Sequence, residues 1–148
     1  MGRGLINLCK NANVDDTMNE FYDVIVRTSP KDPPKEFELS AAQIIADYFC
    51  ASVVFRRQEI LKTPDLLIRG QVWELKSPRG NGKNTIHNSF KTARAQSDNI
   101  VIDLRRCKLH ERKALANIRY AYRNRKRKTG EILIIKKSGK VIDVADIV

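Results

Sequence analysis

The sequence has 148 residues, the size of one folding unit with a single core. Its 28 Lys and Arg against 17 Asp and Glu leave a formal charge of +11, which suits a polyanionic partner, nucleic acid or an anionic membrane surface, with a merely soluble basic protein as the alternative. No run approaches the roughly 20 apolar residues of a transmembrane helix, so no membrane span is expected. The start, MGRGLINLCKNANVDD, lacks the apolar stretch of a secretory signal. Cys9, Cys50 and Cys107 are far apart without a CxxC pair, which indicates neither a disulfide framework nor a zinc ribbon and predicts reduced thiols in a cytosol-like compartment, and with His87 and His110 as the two histidines a His-based metal cluster has few ligands to draw on.

In chain order, DDTMNEFYDVIVRT predicts a helix from Asp16 to about Val26, with Met18, Phe21, Tyr22 and Ile25 on one face. Pro30, Pro33 and Pro34 then break regular structure, so residues 1–35 read as an arm or helical extension ahead of a domain over 36–148. From Glu36, EFELSAAQIIADYFCAS sets Leu39, Ala42, Ile45, Ala46 and Phe49 at helical spacing. SVVFRRQEIL reads as a strand ended by Thr63-Pro64, and TPDLLIRGQVWELKSP as a hairpin. A Gly-rich loop leads to a helix from about Asn84 to Gln96, and NIVIDLRR has the unbroken apolar character of a strand covered on both faces. LHERKALANIRYAYRNRKRK predicts a long helix with Leu109, Leu115, Ile118 and Tyr122 inward and Gly130 just past its end as the chain-reversing residue. A hairpin around Ser138-Gly139 closes the chain. This order predicts an α/β single domain, a mixed β-sheet flanked by helices.

The hairpin carries the chemistry. With Arg69-Gly70 as a two-residue turn, pairing runs 68 with 71, 67 with 72, 66 with 73 and 65 with 74, so Asp65 lies opposite Glu74. Lys76 shares their face, and Leu66, Ile68, Trp73 and Leu75 take the other. Two carboxylates this close destabilise the sheet unless a shared proton or a cation compensates. Mg²⁺, which binds through one or two carboxylates plus water and substrate phosphate, is the more useful compensation. A lysine beside it would stabilise the charge that grows on water or phosphate. The alternative is a Glu–Lys surface pair with Asp65 as a turn residue after Pro64.

These residues also carry a resemblance. "PD" at 64–65, followed by "ELK" at 74–76, resembles the PD-(D/E)XK signature of restriction-endonuclease-like nucleases. The longer block TPDLLIRGQVWELKSPRGNGKNTIHNSFKTARAQSDNIVIDLRR is similar to the toxin nuclease domains at the C-terminus of contact-dependent inhibition proteins and their mobile-element relatives, a similarity spanning roughly residues 36 to 144. It implies a restriction-endonuclease-like fold, with Asp65 and Glu74 as ligands of Mg²⁺ or Mn²⁺, the Leu75 carbonyl as a further ligand and Lys76 as the catalytic lysine. It implies Glu38, with Glu36 as its rival, as the first-helix glutamate of the acidic cluster. Gln96 falls where related nucleases place a glutamine near the site, a solvated helix glutamine being the alternative.

The loop SPRGNGKNT offers Arg79, Lys83 and backbone amides near Gly80 and Gly82 to phosphate, and Thr85 opens the "TI" helix; an ordinary flexible loop is the alternative. In RYAYRNRKRK, Arg119, Arg123, Lys126 and Arg127 share a face suited to a nucleic-acid backbone, or to plain helix-end stabilisation, and Tyr120 could stack on a base. The resemblance implies a metal-dependent endonuclease that cuts tRNA or DNA to leave a 5′-phosphate, acting as a toxin effector in the target-cell cytoplasm, with an acidic immunity protein as partner. The rivals are a non-catalytic basic nucleic-acid-binding module and a structural adaptor of a mobile element.

Overall fold

The computed structural model describes residues 22–57 and 64–148. Its elements, in chain order, are β1 (Val24–Val26), α1 (Glu36–Phe49), β2 (Val53–Phe55), β3 (Leu66–Ile68), β4 (Gln71–Lys76), α2 (Thr85–Gln96), β5 (Asn99–Asp103), α3 (Glu111–Arg123), β6 (Ile132–Ile135) and β7 (Val141–Asp143). The seven strands form one sheet in the order of the sequence. Pairing is parallel for β1–β2, β4–β5 and β5–β6 and antiparallel for β2–β3, β3–β4 and β6–β7. A mixed sheet flanked by helices in a single domain is the architecture expected, and it is consistent with a restriction-endonuclease-like fold.

Side-chain alternation along the strands divides the apolar core in two. On one face Ala41, Ala42, Ile45, Ala46 and Phe49 of α1 pack on Val53, Leu66, Ile68, Trp73, Leu75, Val101 and Leu133. On the other, Ile86, Phe90 and Ala93 of α2 and Ala114 and Ile118 of α3 pack on Ile100, Ile102, Ile132 and Ile134. β5 is thus covered on both sides, as its apolar run predicts. The hairpin register is also as read: Leu66 pairs with Trp73, Leu67 with Val72 and Ile68 with Gln71. Arg69 and Gly70 both take positive φ, 49° and 76°, which the twist of a two-residue hairpin favours. The Arg69 guanidinium donates to the Phe49 carbonyl at 2.5 Å.

Four expectations are corrected. Val24–Val26 is an edge strand and not the end of a helix, because three consecutive apolar or β-branched residues beside β2 find a ladder there; the rest of the predicted helix lies outside the described residues. The strand read from SVVFRRQEIL is ordered as such for Val53–Phe55, and part of the remainder lies outside the described residues. α3 stops at Arg123, five residues short of the predicted end, where the Asn124 side chain donates to the Tyr120 carbonyl at 2.8 Å and caps the last turn. Gly130 is therefore no helix cap. A β-carbon there would meet the Asn99 side chain at 2.2 Å, so close chain approach requires the glycine. Lastly, Cys50 is disulfide-bonded, against the expectation of reduced thiols, since pairing depends on spatial approach and not on sequence spacing; Cys107 is a buried free thiol. Among the described residues no helix is long and apolar enough to cross a membrane.

Candidate functional site

β3 is short because Pro64 has no amide to donate, and the β2–β3 pair ends at Phe55 and Leu66. β4 runs on to Lys76 with β5 as its neighbour on one side. The sheet therefore forks between β3 and the second half of β4, and the three ionisable residues of the hairpin stand at the fork. At Leu75 the ladder towards β3 has run out, and its amide donates instead to the Asp65 carboxylate, Oδ2, at 3.3 Å. The amide and carbonyl of one strand residue point the same way, so the Leu75 carbonyl also faces the fork.

Glu74 is 1% exposed. Its Oε1 accepts from Lys76 Nζ at 2.5 Å and from Gln96 Nε2, on the last turn of α2, at 2.8 Å. Its Oε2 is buried and has no hydrogen-bond partner among the described residues. Burial pushes the Glu74 carboxyl up to about 7, the Lys76 hydrogen bond opposing this and the Asp65 charge adding to it. Asp65 is raised as well, first by burial, with the Leu75 amide, Lys76 and a side-chain hydrogen bond with Glu74 pulling it down and Glu38 pushing it up. Near neutral pH Glu74 is therefore partly protonated, and a divalent cation would displace that proton.

The donor set fits a hard cation. Two carboxylates, one with an unpartnered buried oxygen, and a backbone carbonyl suit Mg²⁺ or Mn²⁺, which keeps several waters and needs no complete protein cage. Such a cage is absent: among the described residues no group of three or more His, Cys, Asp or Glu side chains is gathered as a metal site. Glu38 does not complete one. It lines the same cleft as Asp65 and Leu75, but its Oε2 accepts from the Lys35 amide at 2.7 Å, as a first-turn carboxylate stabilising the start of α1. Glu36 is exposed at the start of the same helix.

The remaining candidates divide by position. Gln96 touches Glu74 and is half-buried, in place of the solvated helix glutamine that was its alternative. Arg79 and Lys83 are exposed on the loop leaving Lys76. That loop is tied to the end of β5, because the Lys108 amide donates to the Arg79 carbonyl at 3.2 Å. Thr85 Oγ1 lies 2.7 Å from where a β-carbon on Gly80 would sit, so the hydroxyl presses on the loop backbone. The basic run of α3 is not brought to the fork. α3 starts beyond the carboxyl end of β5 and runs about 20 Å back towards the amino ends of the parallel strands, where Arg127 pairs with Asp98 at 2.9 Å just before β5. Tyr120 is 68% exposed there, with Arg123 and Lys126 exposed and Arg119 half-buried.

Asp103 and Arg105 escaped the sequence reading. Arg105 Nε and Nη2 grip the buried Asp103 carboxylate at 2.9 and 2.8 Å, and Nη1 donates to Ser40 Oγ on α1 at 2.7 Å. The Arg106 guanidinium stacks 3.5 Å above the Phe37 ring. The arginines of VIDLRR thus pin the first turn of α1, with Glu38, beside the cleft. Their signal was a charged triplet ending an apolar strand.

No curated protein matches the chain. A solved structure, the CdiA-CT/CdiI toxin and immunity complex from Burkholderia pseudomallei, contains a chain 21% identical to this one, with a TM-score of 0.49 over 80% of this chain and 96% of that chain. Residues 62–141, more than half of the chain and including β3, β4, α2, β5, α3 and β6, match the family described as contact-dependent growth inhibition CdiA C-terminal domain, and the chain belongs to that family.

Proposed function

We propose that this toxin domain is a metal-dependent endonuclease of the PD-(D/E)XK type that hydrolyses phosphodiester bonds of tRNA or DNA in the target-cell cytoplasm. The observation that carries the reading is the buried Glu74 Oε2 at the forked end of the β3–β4 hairpin, which among the described residues accepts from no N–H or hydroxyl donor, beside the Asp65 carboxyl and with Lys76 on the other carboxylate oxygen. The Lys76 and Gln96 contacts hold one oxygen of Glu74, and a cation would use the other.

Asp65, Glu74 and the Leu75 carbonyl would hold Mg²⁺ or Mn²⁺, which when bound supplies Lewis-acid activation of water and neutralises phosphate charge. Gln96 and Lys76 fix the Glu74 carboxylate from the Oε1 side, leaving Oε2 directed at the ligand. Lys76 also presents its ammonium to the attacking water, whose oxygen bonds to phosphorus while the bond to the 3′-oxygen breaks. The 3′-oxygen leaves with a proton, and the 5′-phosphate remains on the other product. The net charge of +11 favours both the polyanionic substrate and an acidic immunity protein as inhibitor.

The test compares wild type and Glu74→Gln on total tRNA, plasmid and single-stranded DNA with Mg²⁺, Mn²⁺ or EDTA. Wild type should cut one class with metal and not with EDTA, and the variant should lose about 100-fold or more of the rate. Tight binding by folded wild type without cleavage under any metal would instead favour a non-catalytic binding module.

A further inference from the structure

The cleft that ends on Asp65 has a second wall that the carboxylate pair does not explain. Beyond Phe55 the Arg56 amide donates to the Asp65 carbonyl at 2.9 Å, carrying the Phe55–Leu66 register on by one pair. Arg56, Asp65 and Glu74 are therefore cross-strand neighbours on three adjacent strands, and such neighbours share a face. Between cross-strand neighbours of opposite charge an ion pair is the ordinary outcome. Yet among the described residues neither Arg56 nor Arg57 forms an ion pair, although Asp32, Glu38 and Asp65 line the same cleft. Arg56 is half-buried and Arg57 exposed, so among the described residues the donors of both are available to an anion.

The cleft measures about 460 Å³, at the small end of ligand pockets, which suits one nucleotide and not a base pair. Its lining also includes Thr28, Ser29, Pro33, Pro34 and Lys35. Guanidinium forks, hydroxyls and apolar proline rings in one lining match a phosphate and its attached nucleoside. Both arginines lie outside the segment 62–141 that defines the family match.

We infer that Arg56 and Arg57 anchor the polynucleotide backbone next to the bond being cut, so that the cleft takes an unpaired nucleotide adjoining the carboxylate pair. The substrate named here rests on the nuclease reading. The readout is binding without metal, so the two can fail separately.

The experiment titrates the whole chain, in EDTA, with a fluorescein-labelled single-stranded oligonucleotide and with its fully paired duplex over a range of salt. Arg56→Gln with Arg57→Gln should weaken single-strand binding about 10-fold and reduce the slope of log K against log salt by about 1.4, two phosphate contacts at roughly 0.7 each. The duplex, unable to enter the cleft, should lose less than the single strand. Lys91→Gln with Lys113→Gln, exposed lysines on α2 and α3, removes the same charge elsewhere and sets the baseline. A loss no greater than that baseline, or an equal loss for duplex, overturns the inference. If the double variant does not fold, Arg57→Gln alone should still weaken binding several-fold, and no effect would count against the subsite. Arginine-dependent binding without cleavage by wild type would keep the subsite and remove the nuclease. Cleavage unaffected by the arginines would do the reverse.

Discussion

Two carboxylates are buried in this sheet on neighbouring parallel strands, and their environments are opposite. Asp103 at the end of β5 is fully enclosed, yet both of its oxygens are satisfied: Oδ1 accepts from the Arg105 amide and Nε, and Oδ2 from Nη2. Glu74 on β4 is equally enclosed, but one oxygen has no partner among the described residues and burial pushes its carboxyl to about 7. Burial of charge alone marks neither residue as functional. The distinction is whether the protein supplies its own counter-charge, since a satisfied pair holds structure and an unsatisfied group leaves room for a ligand.

If Asp103 is structural, breaking its pair should have the largest effect on stability. Asp103→Asn leaves the half-buried Arg105 guanidinium against a neutral amide and loosens its hold on Ser40 and α1, a cost of about 2 to 3 kcal/mol. A fall in Tm of roughly 10 °C by thermal unfolding is the expected result. Metal-dependent activity per folded molecule should survive. An unchanged Tm would break the comparison at its structural end.

At the other carboxylate the sign reverses. The Glu74 carboxyl titrates near 4.5 when unfolded and near 7 when folded, so between those values the native state holds the extra proton and stability falls as pH rises. The contribution is fully present below about 4.5 and gone above about 7, and the raised Asp65 adds to it with the same sign. Without metal, Tm should decline across that window. In Glu74→Gln, which cannot ionise, the decline should shrink, leaving the variant more stable than wild type at pH 8 by on the order of 2 kcal/mol, part of it offset by the lost attraction for Lys76. Mg²⁺ or Mn²⁺ should restore wild-type stability at pH 8 and leave the variant unmoved. A wild-type Tm that climbs from pH 5 to 8 without metal would contradict the assignment.

The sequence revealed the hairpin well, because its register follows from a two-residue turn and period-2 alternation, both local. β5 was legible for a similar reason: an apolar run has few places to go except between two covered faces. What stayed hidden was non-local. The strand at Val24–Val26 forms because β2 offers an edge, and Gly130 is dictated by Asn99, a contact across 31 positions. The basic run of α3 is conspicuous in sequence, yet it lies at the end of the sheet away from the fork. FRRQE drew no attention as a binding element, although Arg56 sits beside Asp65. Charge density along a chain says little about which charges are already paired.

Gln96 offers the smallest test and the most specific. Its amide donates to Glu74 Oε1 at 2.8 Å, and a hydrogen bond to the ionised carboxylate favours that form. Replacing Gln96 by Leu keeps bulk on α2 and removes the donor, a net loss of about 1 kcal/mol if the bond is ordinary. The Glu74 transition should then move to higher pH by roughly half a unit to one unit. Cleavage at pH 7 should fall several-fold, because less of the enzyme has the carboxylate ready for a cation, and most of the loss should be recovered at pH 8.5. A glutamine that only packed the helix against the sheet would lower stability by the same amount at every pH and leave the midpoint of the pH–rate profile where it was. The profile therefore separates a residue that tunes Glu74 from one that merely covers it, which stability alone cannot do.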